Sequence, residues 1–453
     1  MEHEENVHLH NLVVDLNSGK EEAFRAGHEA KHAENYRINS FHLGEGSPKQ
    51  KFRANMDAIY TLKTLENQHR DATPEEQETL ANYVGWGGLA DAFDAEKTAW
   101  TGEYKELKAA LTEEEYAAAR ASTLNAHYTS PTVIRAIYEA LDGMGFEKGN
   151  ILEPSMGVGN FFGMLPDSML ESRLYGVELD SITGRIAQKL YPQAEIKVAG
   201  FETTDRRDFY DLAVGNVPFG NYRVSDKPYD KLGFSIHNYF FARLWIRFVP
   251  VASWPLLPAA IRWIPRIRTH EKYLAQRAEL LGAIRLPNNA FRANAGTDVV
   301  SDIIFLQKRD HPIDIEPDWV HLGLISEGIT LNSYFVDHPE MVLGEITTES
   351  TQYGKEECTV IPIPDADLGD QLHEAVQHIG GHYEAQELAP EEELSLQGET
   401  IPADPNVKNF SYAVVDGDVY FRENSIMRKA DLSATATGRI KGMVELRTIV
   451  QEL

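Results

Sequence analysis

Apolar positions between residues 50 and 122 recur at three- and four-residue intervals, in the runs 54–65, 74–82, 103–110 and 113–121. That spacing puts them on one helix face each, so the sequence predicts four amphipathic helices. Thr112 stands three places before Glu115, the pattern of a capping box at the start of the last one. Beyond residue 150 the pattern changes to short continuous apolar runs. Ile151-Leu152 and the runs 174–178, 195–198 and 210–214 read as buried strands, residues 181–190 as the helix between the second and third, and 132–141 as a helix before the first. An apolar strand is expected over 301–306. Strand alternating with helix implies an α/β fold, a doubly wound parallel sheet with its ligand at the carboxyl ends of the strands.

Later residues give weaker signals. An extended stretch is expected over 358–363, a helix over 368–379, a hairpin over 410–422 turned by Asp416-Gly417, and a helical run over 438–453. The chain therefore divides into a polar, disordered tail (1–47), a helical region (48–122), an α/β domain (123–310), a small α/β extension (311–383), an acidic linker (384–404), and a hairpin with a truncated helix (405–453). The helical run reaches residue 453 without a stop signal, which is the expectation for a fragment of a longer protein.

A chain of 453 residues has room for two or three cores. The net charge of −27 works against a nucleic-acid partner, because phosphate contacts need clustered Lys and Arg. Part of the acid sits in 384–399, six glutamates without a Lys or Arg, which reads as solvated linker. Cys358 is the single cysteine, excluding a disulfide framework and a cysteine zinc site and fitting a cytoplasmic protein. His3, His8, His10, His28 and His32 lie in a tail more simply read as solvated than as a metal site, and no membrane span is expected.

The chemistry concentrates in two stretches. Asn150-Ile-Leu-Glu-Pro-Ser-Met-Gly-Val-Gly-Asn-Phe-Phe162 reads as strand, carboxylate (Glu153), glycine turn (Gly157, Gly159) and helix start. Glu178, 25 residues after Glu153 at the next strand end, is placed to accept hydrogen bonds from both ribose hydroxyls of a nucleoside cofactor. NAD and S-adenosylmethionine both satisfy that. Phe162 stands where the dinucleotide pattern has its third glycine, which favours the second. Asn216-Val217-Pro218-Phe219 follows the fourth strand; by itself it is an ordinary turn sequence. An Asn oxygen and a neighbouring carbonyl can also accept from an exocyclic amino group while the aromatic ring stacks on the base. Tyr83-Val-Gly-Trp-Gly-Gly88 is either a tight turn packed on the core or an aromatic platform.

Glu-Pro-Ser-x-Gly-x-Gly-Asn-Phe followed by Asn-x-Pro-Phe resembles the adenine-specific DNA amino-methyltransferases whose cofactor motif precedes the catalytic one. The resemblance, specific between about residues 125 and 306, implies a Rossmann-like S-adenosylmethionine-dependent methyltransferase sheet and methyl transfer to adenine in DNA. It assigns catalysis to Asn216, Pro218 and Phe219, the last also stacking on a flipped base. Cofactor binding falls to Tyr128, Thr129, Glu153, Pro154, Gly157, Gly159, Glu178 and Glu202, a second base-holding ring to Phe291, and no residue to a metal. Val217 departs from the proline common in relatives. The chain also looks like the methyltransferase region of large proteins of bacterial mobile elements that join it to a C-terminal helicase, a restriction-modification setting. Two other readings are an inactive DNA-binding module and a protein-glutamine methyltransferase.

Residues 245–269 break the pattern. Trp245, Trp254 and Trp263 recur with Pro250, Pro255, Pro258 and Pro265 and no acid, where the family has a helix end, a fifth strand and a loop. Prolines at that spacing are expected to interrupt either element. Read from the third base of each codon, the degenerate code permits DKVRPGGVVAFVTSRYTMDSKNT here, with a Pro-Gly-Gly turn and a Val-Val-Ala-Phe-Val strand. The expectation is a pair of compensating frameshifts.

Overall fold

The computed structural model describes residues 33–39, 44–123, 128–204, 206, 209–218, 223–230, 233–244, 248–258, 268–291, 300–309, 311–325, 329–350, 356–383, 400–404, 407, 411–423, 426–430 and 434–452. The five tail histidines, Phe219 and the acidic stretch 384–399 lie outside them.

Strands β1 (Asn150–Glu153), β2 (Arg173–Glu178), β3 (Glu195–Val198), β4 (Tyr210–Ala213), β5 (Gly215–Val217), β6 (Phe248–Pro258), β7 (Ala278–Leu286) and β8 (Ser301–Lys308) form one sheet. Its order is β3-β2-β1-β4-β6-β8-β7, with β5 pairing on β6. β1 pairs parallel with both β2 and β4, and β4 parallel with β6, whereas β8 runs antiparallel between β6 and β7. The order reverses at β1, where β2 leads outward one way and β4 the other. A crevice opens at such a switch point, at the carboxyl ends of the strands.

The four expected helices are present as α1 (Pro48–Gln68), α2 (Pro74–Ala81), α3 (Thr101–Ala110) and α4 (Glu113–Ser122), and capping boxes start α1, α2 and α4. At α4 the Thr112 hydroxyl accepts from Glu115 N (3.1 Å) while Glu115 accepts from Thr112 N (3.0 Å). α5 (Pro131–Gly143), the short α6 (Asn160–Gly163) and α7 (Ser181–Leu190) belong to the α/β layer. Arg185 on α7 joins the helical region to that layer, donating to Glu66 of α1 (3.1 Å) and Glu115 of α4 (2.5 Å). Trp86 and Tyr83 are fully buried, with Trp86 edge-on to Phe93 and Tyr83. Buried Asn55 accepts from Val84 N and donates to the Gly85 carbonyl, so the glycine-rich stretch is a turn pinned on the core.

Two differences from the sequence reading stand out. Residues 33–39, assigned to a polar tail, run extended along the α/β domain: Tyr36 N donates to the Leu190 carbonyl and Ile38 N to that of Gly163, both at 2.8 Å. Those long-range backbone bonds need a tertiary partner that composition does not disclose. The prolines of 245–269 also do not abolish the strand. β6 runs through Pro250, Pro255 and Pro258, but its register against β4 slips, Tyr210 facing Phe248 and Leu212 facing Ser253. A bulge absorbs residues that a regular ladder has no place for.

α8 (Lys227–Asp230), α9 (Ile236–Leu244) and α10 (Arg268–Ala275) follow β5. The extension contributes two small antiparallel hairpins and α11 (Leu368–Val376), which packs on α5. A separate four-stranded antiparallel sheet, with a core of Ala413, Tyr420 and Met427, closes the description. Asp416-Gly417 turns its hairpin with positive φ at both residues.

Candidate active site

The crevice holds a cavity of about 560 Å³, a size that takes a nucleoside-sized ligand. Each of the first four strands brings one side chain to it at its carboxyl end: Glu153 from β1, Glu178 from β2, Glu202 after β3, Asn216 after β4. Gly157 makes the turn after β1 with φ +57°, and a Cβ there would stand 2.9 Å from Tyr128 Cε1. Only glycine takes that conformation and leaves room for the Tyr128 ring at little cost.

Glu178 is held by the backbone. Its Oε2 accepts from Gly157 N (2.8 Å) and Oε1 from Asp180 N (2.8 Å). Burial, the largest influence, pushes its carboxyl up to about 7, with the Asp180 charge adding and the backbone donors opposing. Glu153 is 2% exposed, its Oε2 buried without a hydrogen-bond partner among the described residues. Burial first, then the Glu178 charge, push its carboxyl well above the ordinary carboxylate range. The cavity floor therefore sets two buried carboxyl groups side by side, one of them oriented by backbone donors. Leu179, three-quarters exposed, and Phe201, Ile236 and Phe240 supply apolar walls.

Of the residues singled out by sequence, Tyr128, Thr129, Glu153, Pro154, Gly157, Glu178, Glu202, Asn216 and Pro218 line this one cavity. Gly159 does not. It starts α6 with φ +84°, and a Cβ there would meet Tyr191 at 2.6 Å, so it serves packing beneath the turn. Phe291 is also outside the lining. It is 3% exposed in the core, because the turn carrying it is tied down by Asn288 N donating to the Val360 carbonyl. Phe219 lies outside the described residues.

Sequence reasoning missed Asp180 and Thr183, which line the cavity as the cap of α7: Asp180 Oδ1 accepts from Thr183 N (2.8 Å) and Oγ1 (2.6 Å). An Asp immediately before the predicted helix 181–190 was the available signal. It also missed Gly85, Ala118, Ala121 and Ser122, by which the helical region closes one side. No local pattern marks those.

An acidic acceptor at the β2 end, a glycine turn after β1 and a polar-apolar cavity fit a nucleoside cofactor carrying an amino-acid arm. Sheet order and site together give the chain a Rossmann-like fold with its cavity at the switch point. No family model matches the chain. It is 28% identical over 309 residues, 67% of its length, to Defense against restriction protein B of Escherichia phage P1. Over 92 residues, 20% of the chain, it is 34% identical to the type II methyltransferase M.CvrRI of Paramecium bursaria Chlorella virus XZ-6E. The chain spans 12% and 24% of the lengths of these two relatives. Among solved structures it is similar to a TehB-like S-adenosylmethionine-dependent methyltransferase of Corynebacterium glutamicum (18% identity, TM-score 0.27, 39% of this chain and 88% of that one). It is also similar to the M protein of the type I restriction enzyme EcoKI (14%, TM-score 0.30, 58% and 64%). The fold assignment rests on the strand order itself.

Proposed function

We propose that this chain transfers a methyl group from S-adenosylmethionine to the exocyclic amino group of adenine in DNA, as the methyltransferase region of a longer helicase-methyltransferase. The observation that carries the reading is the meeting of the Gly157 turn, Glu178 and Asn216-Val217-Pro218 in one cavity. Both relatives matched by sequence carry names from restriction and modification, which supports DNA as the substrate.

Glu178 would hold the ribose hydroxyls and Glu153 and the turn after β1 the amino-acid arm. When bound, S-adenosylmethionine supplies a methyl group on a positively charged sulfur. The remaining work falls to the chain's own groups. The adenine amine is a poor nucleophile because its lone pair is delocalised into the ring. The Asn216 side-chain oxygen and the Pro218 carbonyl would accept its two hydrogens, localise that pair and aim it into the cavity, so catalysis is positioning and electrostatics. Apolar walls exclude water from the reacting atoms. Phe219 would stack on the extruded base.

One observation favours a second reading, a chain that binds cofactor and DNA without transfer: the strand carrying Asn216 leans on the irregular β6, with Asn216 facing Leu257. Mass spectrometry of DNA nucleosides after incubation with S-adenosylmethionine separates the two. The first reading expects N6-methyladenine from the parent chain, and from Asn216→Ala a rate lower by about 10²- to 10³-fold with cofactor binding kept. A parent chain that binds both partners and yields none supports the second, and methylation of glutamine in a protein substrate would sink both.

A further inference from the structure

Arg243, near the end of α9, is 7% exposed and spends its whole guanidinium on two loops. Its Nη2 donates to the carbonyls of Glu202 (2.5 Å) and Thr204 (2.9 Å), and its Nε to that of Phe201 (3.3 Å). Those carbonyls belong to the turn after β3, whose Phe201 and Glu202 line the cavity. Nη1 pairs with the Asp226 carboxylate, which is nearly as buried and also accepts from the Tyr239 hydroxyl (2.8 Å). Asp226 lies eight residues after Pro218, on the chain leaving the Asn216 motif, and Val224 of that segment lines the cavity too. On the same helix the Phe240 ring stacks on Phe201 at 4.9 Å and 23°.

One planar fork therefore fixes the nucleoside-side wall and the acceptor-side segment to each other, a geometry an ammonium cannot reproduce. We propose that Arg243 is a positioning residue that couples the two halves of the site: with the nucleoside wall occupied, the Asp226 segment is held in the form that receives DNA, and the reverse. The inference rests on the functional reading above. It goes beyond it by assigning cooperativity between cofactor and DNA to a pair that contacts neither. Coupling of this kind is reciprocal, each ligand tightening the other by the same factor.

The test measures binding, so it does not depend on turnover. S-adenosylhomocysteine affinity is read by calorimetry, and affinity for an adenine-containing duplex by anisotropy with and without S-adenosylhomocysteine. The parent chain is expected to bind DNA about fivefold or more tightly when the first ligand is present. Arg243→Lys, which keeps the charge and loses the fork, is expected to bind S-adenosylhomocysteine about tenfold more weakly and to bring the coupling close to one. Arg285→Lys is the control, because Arg285 and Asp302 form a buried bidentate pair between β7 and β8, outside the cavity lining (2.7 and 2.8 Å). It should lower the melting temperature and leave both affinities and the coupling alone. Should Arg243→Lys fail to fold, Asp226→Asn, which keeps the shape and an acceptor for Tyr239, is expected to lose the coupling in its place. A parent chain without coupling, or coupling unchanged in whichever variant folds, overturns the inference and leaves the functional reading standing. A parent chain that binds no S-adenosylhomocysteine overturns the functional reading and this inference with it.

Discussion

Two carboxyl groups set how the site responds to pH. Burial pushes the Glu178 carboxyl from an ordinary value of 4.5 up to about 7, and raises that of Glu153 in the same direction. Folding therefore takes up protons at these positions, and the contribution of Glu178 to stability is full below about 4.5 and falls as pH rises through 7. Ligand binding has the opposite sign. A ribose needs an acceptor, and only the ionised Glu178 offers both oxygens without a proton of its own. Affinity for S-adenosylhomocysteine is expected to be flat above pH 7 and to fall by up to about tenfold per unit below it. Glu178→Gln should bind weakly with no such slope, and calorimetry from pH 5.5 to 8 checks both. A parent profile that stays level through pH 6 removes Glu178 from the ribose role. These residues were legible in the sequence because each sits at a strand end next to its own turn, where chemistry and local structure coincide.

At the scale of elements, the cavity wall from the helical region depends on one cation. Arg185 holds Glu66 and Glu115, and Glu115 also takes Lys63 at 3.1 Å, so three helices meet through a partly buried network. α4 presents Ala118, Ala121 and Ser122 to the cavity, and that network, together with buried Tyr116 and Ala119, docks it. Arg185→Ala removes about 1 kcal/mol of docking. The expected result is an affinity for S-adenosylhomocysteine lower by a few fold, with the far-ultraviolet helix signal intact; unchanged affinity would mean the network is surface ornament. The helix itself was readable from Thr112 and Glu115, whose side chains make the box the sequence implied. What it covers was not, because a row of small residues reports close approach without naming the partner. Phe291 teaches the converse. Its place along the chain matched an aromatic ring at a base, yet the hydrogen bond from Asn288 to Val360 turns that loop inward and buries it. The bound segment 33–39 escaped for a related reason, since its backbone bonds go to residues more than a hundred positions away.

Across the whole molecule the weak member of the sheet is β6, and the site depends on it. β6 lies between β4 and β8 in the interior of the sheet and also pairs with β5, so the Asn216 motif has β6 as its edge support. Proline cannot donate to a ladder, and interior strands rarely hold one. Pro255 nevertheless faces Phe305, and Pro258 faces Val217. The slip against β4 takes up residues between Phe248 and Ser253, and regular pairing to β8 begins at Ser253. In the alternative reading of the codons the Pro-Gly-Gly turn falls within that slip, and the Val-Val-Ala-Phe-Val strand begins as it ends. The Val-Val-Ala-Phe-Val run therefore overlaps the part of β6 that pairs regularly with β8. A chain carrying the alternative segment in place of 245–267 regains ladder donors at positions 255 and 258, about 1 kcal/mol each. Its melting temperature is expected to rise by several degrees, and transfer to DNA should increase, because Asn216 then leans on a regular strand. Scanning calorimetry and the nucleoside assay on the two chains decide it. A replacement chain that melts no higher than the parent would mean that the proline-bearing strand already packs as well as an ordinary one, and that the frameshift has no physical trace in the fold.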